Sequence, residues 1–103
     1  MSPRGAPSAP PRPSVGRIVH YRSHGTPVRE DGSQAHPPRC RAAIITDVYD
    51  ETNPHPDPEV VTGVEGAEWV ALAVLNPRGT FHDDACHDET TKLGGTWHWP
   101  EVV

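Results

Sequence analysis

The chain has 103 residues, a net charge of −5 and 34% hydrophobic residues, against about 45–50% in an ordinary globular chain. Thirteen prolines and nine glycines exclude a long helical bundle, and no run approaches the roughly 18 apolar residues of a membrane span. That length holds one domain at most, with too little core for a conventional catalytic cleft.

The charge is uneven. Residues 1–41 hold seven arginines against Glu30 and Asp31, a balance of +5. Residues 42–103 hold Arg78 and Lys92 against twelve acids, a balance of −10. Such a split either marks a basic face or is neutralised between the two halves in the fold; scattered arginines favour neutralisation. Residues 15–103 alone carry −7, which repels phosphate and disfavours nucleic acid as a partner. Cys40 and Cys86 form no disulfide framework. The first fourteen residues lack the apolar stretch of a secretory signal. A reducing cytoplasm is therefore the expected compartment, with no membrane association.

Residues 1–14 contain five prolines and no large apolar residue, so a disordered Pro-rich tail is expected there. The domain is expected over 15–103. Val15–Tyr21 mixes β-branched and aromatic residues and reads as a first strand. Residues 22–39 hold two glycines and three prolines and read as a long loop. Cys40–Tyr49 is apolar on both faces at its middle, as in a central strand, with Ala43, Ile45 and Asp47 on one face and Val48 on the other. Alternating Pro54, Pro56 and Pro58 make residues 50–66 a second long loop. Glu68–Leu75 is the most hydrophobic run and reads as a strand, stopped by a type I turn at Asn76–Gly79. Thr80–His82 returns as a short strand. Residues 83–94 are acidic and read as a loop. Gly95–Trp99 is a last strand, with Trp97 and Trp99 on one face and His98 on the other. Five short strands with alternating long and tight connections predict a mostly β protein. The expected architecture is a small, partly open, five-stranded barrel of Src-homology-3-like type.

Val15-Gly-Arg-Ile-Val-His-Tyr21, Gly25-Thr-Pro27, Cys40-Arg-Ala-Ala-Ile-Ile45, Val74-Leu-Asn-Pro77 with Gly79, and Gly95-Thr-Trp-His-Trp-Pro-Glu101 read together. In these motifs the chain resembles a family of small uncharacterised proteins of actinobacteria and of the phages that infect them. The resemblance covers roughly residues 15–101, and the closing GTWHWPE is its most specific element. It implies a setting and a domain, not a mechanism or a cofactor.

Two constellations are candidates for chemistry. His82, Cys86 and His87 lie in an acidic run, and His82 with Cys86 at i and i+4 can share a soft cation, completed by His98 or His20. No second Cys or His pair supports them, so a solvated loop is the simpler expectation. The aromatics are the other group. Trp97 and Trp99 are expected in the core with Ile18, Ile45 and Leu72. Tyr21, Trp69 and Trp99 are candidates for an aromatic groove, with Arg22, His24 and Arg41 as polar partners. No nucleophile elbow, Walker A loop or dinucleotide fingerprint is present. The expected function is therefore a non-enzymatic binding module for a protein or small ligand, its two long loops on one rim. The alternatives are a small metal-dependent enzyme using His82, Cys86 and His87, and a structural virion component.

Overall fold

The computed structural model describes residues 12–101. The Pro-rich tail expected over 1–14 lies outside the described residues except for 12–14, of which Ser14 accepts a hydrogen bond from the Arg17 amide. Five strands form one antiparallel sheet: β1 (Ile18–Arg22), β2 (Cys40–Tyr49), β3 (Trp69–Asn76), β4 (Gly79–Cys86) and β5 (Trp97–His98). Their order across the sheet is β4-β3-β2-β1-β5. The sheet is not closed by ladders. One parallel bridge joins His87, just past β4, to Trp97 of β5. The Asp88 amide donates to the Trp97 carbonyl there at 2.9 Å. No helix among the described residues is long and apolar enough to cross a membrane.

Side-chain alternation builds the core. Val19 and Tyr21 of β1, Ala43 and Ile45 of β2, Val70, Leu72 and Val74 of β3, Ala85 of β4 and Trp97 of β5 are all buried. The register stacks them: Val19 opposes Ala43, Ala43 opposes Val74, and Ile45 opposes Leu72. Ile18 was expected among them but is 59% exposed, because its position has the opposite parity to Val19 and Tyr21. A bulge between Ile45 and Asp47 corrects a second expectation. The extra residue shifts the alternation by one, so Val48 packs on the core while Asp47 is exposed.

Pro77 and Arg78 make a two-residue turn between Asn76 and Gly79, which face each other. Pro77 fixes its own φ near −65°, and Arg78 has no positive φ, so the backbone is that of a type I turn. β4 then runs to Cys86, where a loop was expected from residue 83. Acidity does not end this strand, because partners satisfy its carboxylates. Asp83 accepts a 2.6 Å bond from the Tyr21 hydroxyl. Asp84 accepts from the Tyr49 hydroxyl (3.1 Å) and pairs with His55 Nε2 (2.7 Å).

Burial and the Asp83 bond raise the Tyr21 phenol well above its ordinary range. The folded value lies above the unfolded one of about 10. This contribution to stability is therefore intact below pH 10 and is lost as pH rises further. Tyr21→Phe should lose about 1–3 kcal/mol in urea denaturation at pH 7. It should also fall less steeply in stability than the wild type above pH 10.

Candidate functional site

The six residues expected to line an aromatic groove do not gather. Tyr21 is 2% exposed, its ring edge-on to Phe81, so it has no face left for a ligand. Arg41 opposes Tyr21 from β2 and is half-buried, with its Nε unpartnered. Trp69 lies at the start of β3 between Tyr49 and Cys86, with parity opposite to buried Val70. Trp99 follows β5, edge-on to Trp97 and covered by the Arg17 guanidinium at 5.0 Å. His24 is exposed and rests on Gly94 and Gly95. A Cβ at Gly95 would meet the His24 imidazole at 2.5 Å, and Gly95 itself has φ 82. Arg22 ends β1 and donates from Nη1 to Cys40 Sγ at 3.6 Å.

The two long loops do not share a rim. Residues 23–39 enter β2 at Cys40 and residues 50–68 leave it after Tyr49. Nine extended residues separate those ends by about 30 Å of chain.

The His82–Cys86–His87 constellation also comes apart. An i, i+4 pair meets on a helix, but these residues lie on or next to an extended strand. There His82 and Cys86 are about 13 Å apart. His82 is exposed, whereas Cys86 donates to the Ala67 carbonyl at 3.5 Å. Burial pushes the Cys86 thiol up, which makes it a poor nucleophile. His87 stacks on Trp97 at 4.3 Å, with Nε2 3.0 Å from Glu89 Oε1.

One set of donor side chains does converge. His20, Cys40 and His98 each offer an atom, all within 4.8 Å of one another. Register explains the meeting. His98 sits directly opposite His20 across β5 and β1. Cys40 opposes Arg22, two residues along β1, and so is the diagonal neighbour of His20 on the same face. Cys40 Sγ is 3.6 Å from His98 Nε2. The His20 and His98 rings meet edge-on at 5.4 Å. His98 is fully buried, His20 half-buried and Cys40 exposed. Burial first, and His20 second, hold the His98 imidazole below its usual range, so it is neutral at pH 7. Its Nδ1 has no hydrogen-bond partner. Sequence reading names His20 and His98 only as helpers of Cys86. The signal for Cys40 is its strand parity, visible once the pairing of β1 with β2 is known.

The second loop is pinned to the outer face of the sheet. His55 Nδ1 accepts the Asp57 amide (2.9 Å) while Nε2 reaches Asp84. Its ring packs edge-on against Tyr49 at 4.7 Å and lies 6.2 Å from Trp69. Asp50 turns the loop by accepting from Thr52 and Asn53, and the Thr52 hydroxyl holds its carboxyl low.

No family model matches the chain, and no curated protein or solved structure matches it.

His55→Ala removes both polar contacts and both ring contacts from the second loop. We expect a loss of about 1–3 kcal/mol in urea denaturation. Proteolytic nicking within residues 50–66 should become faster, as limited proteolysis would read.

Proposed function

We propose that the protein is a non-enzymatic binding module that recognises an acidic protein surface through its 23–39 loop. The observation that carries this reading is a set of arginines without carboxylate partners. Every ion pair among the described residues uses a histidine as its cation. Arg29 reaches only the Ser33 hydroxyl (3.4 Å), and Arg22 only the Cys40 sulfur. Among the described residues the two charged halves of the chain are thus not neutralised by Arg–carboxylate contacts, contrary to the simpler expectation from sequence.

The loop that carries Arg29 and Arg39 is preorganised. The Thr26 amide donates to the His36 carbonyl (2.8 Å), and the His36 amide to the Thr26 hydroxyl (2.9 Å). Gln34 Nε2 donates to the Thr26 carbonyl at 2.6 Å. At the tip, the Arg29 amide donates to the Ser33 carbonyl (2.7 Å), and Gly32 supplies the φ of 85 that this turn needs. A loop already ordered loses little entropy when it binds. Exposed Val28, Arg29 and Arg39 give it one apolar and two cationic contacts, beside the exposed acids Glu30 and Asp31.

The scaffold is a small barrel of Src-homology-3-like type. The meander β1 to β4 with β5 returned beside β1, and the His87–Trp97 bridge between the sheet's two ends, support this reading. The GTWHWPE and VGRIVHY motifs support an accessory role in a phage or an actinobacterial mobile element. Both cysteines are free, which suits the reducing cytoplasm.

Affinity capture with the full chain tests the reading. The wild type should retain a specific partner from actinobacterial lysate, and added salt should weaken the capture. Arg29→Glu with Arg39→Glu alters only exposed side chains, so the melting temperature should hold. Capture should fall by about tenfold or more. Capture unchanged in a folded double variant would overturn the proposal.

A further inference from the structure

A zinc ion takes thiolate sulfur at about 2.3 Å and imidazole nitrogen at about 2.0–2.1 Å in tetrahedral geometry. Those bond lengths place a sulfur and a nitrogen ligand about 3.6 Å apart, and two nitrogens about 3.4 Å apart. Cys40 Sγ and His98 Nε2 stand 3.6 Å apart. The third donor atom, on His20, lies within 4.8 Å of both. A side-chain rotation that moves it by about 1 Å brings the set to the tetrahedral spacing. We propose that His20, Cys40 and His98 bind one zinc ion at the base of the 23–39 loop, with water in the fourth position.

Chemistry and placement agree with this assignment. The donor set is one sulfur and two imidazoles with no carboxylate, which suits zinc and excludes magnesium or calcium. The three ligands come from β2, β1 and β5, so their spacing is fixed by a backbone ladder and not by mobile loops. His98 is buried, whereas Cys40 is exposed and leaves a path for the ion and room for water. Arg22 Nη1 lies 3.6 Å from the sulfur, placed to hydrogen-bond a bound thiolate from outside the first shell. A thiol–imidazole hydrogen bond accounts for the Cys40–His98 contact but not for the approach of a third donor, on His20, to both.

The position also has a structural consequence. Arg22 and Cys40 flank the loop, and the Ser23 amide donates to the Arg39 carbonyl just inside them (2.8 Å). An ion shared by His20 and Cys40 ties the two stems together where the loop leaves the sheet. This goes beyond the recognition reading and does not depend on it, because the ion can be bound whether or not the loop has a partner.

The test uses the full chain, purified without a histidine tag, kept reduced and stripped with chelator. Zinc titration should show one equivalent bound per chain and a rise in melting temperature. Cobalt(II) as a probe should give a thiolate-to-metal charge-transfer band. That spectrum needs no variant, so its absence overturns the proposal whatever the variants do. Cys40→Ser should abolish the band and weaken zinc binding by about 100-fold or more, beyond the usual outer-shell loss of about 10–100-fold. His20→Gln should weaken binding while keeping the band, and Cys86→Ser should change neither. No uptake, a band that survives in Cys40→Ser, or a band lost in Cys86→Ser would each overturn the assignment. The partner capture assay of the wild type is read separately, so failure of one proposal does not register as failure of the other.

Discussion

The fold depends on Trp97. It is the largest fully buried side chain, and it belongs to the shortest strand. Two residues of β5 cannot hold a sheet edge by ladder bonds alone. Trp97 supplies the missing cohesion through three contacts. It faces Tyr21 across β1, its indole N–H donates to the Glu68 carbonyl at 3.0 Å, and His87 stacks on its ring. Those contacts reach β1, the lead into β3 and the exit from β4. One ring therefore ties together parts of the sheet that the strand order leaves far apart.

That packing separates the two faces of the sheet. The space between the two ends of the sheet is filled by Trp97, Tyr21, Ile45 and Leu72. The Tyr21 hydroxyl that enters this core is matched by Asp83. The candidate groups lie on the outer face and the loops. His20, Cys40 and His98 occupy the outer face at one end of β2, and Tyr49, Trp69 and His55 occupy it at the other. The same alternation that sends Val19, Tyr21 and Trp97 inward sends His20 and His98 outward. Core and candidate site are two readings of one period-two pattern.

Much of this was legible before the structure. β2 runs over the residues that its apolar middle indicates, and β3 and the Pro77 turn lie within one residue of expectation. Local signals sufficed there: β-branched residues, a proline and a glycine at fixed offsets. The extent of β4 was not legible, because acidity marks a loop unless distant partners satisfy it. Those partners, Tyr21, Tyr49 and His55, come from three other segments. Val48 was misplaced because a bulge has no sequence mark here, neither glycine nor proline. The metal candidates failed on period. His82 and Cys86 were joined by a helical interval inside what is a strand, while Cys40 was passed over because its neighbours in space are 20 and 58 positions away in sequence.

The unpaired arginines follow from the same topology. The basic half of the chain supplies β1, the first loop and the start of β2; the acidic half supplies β3, β4 and the second loop. β2 separates the two loops by about 30 Å of extended chain. The Debye length is about 8 Å in physiological salt, so charges on the two loops hardly feel each other. The loops therefore cannot neutralise one another, although the chain as a whole is acidic. Residues 23–39 hold two arginines against Glu30 and Asp31 and carry no net charge, so on the proposed reading a partner is met by the individual guanidinium groups of Arg29 and Arg39 and not by the net charge of −5. Net charge disfavours nucleic acid, yet it says little about a surface this divided. On that reading the short screening length also limits the partner, whose acids must come within a few ångströms of Arg29 and Arg39 on a surface shaped to the loop.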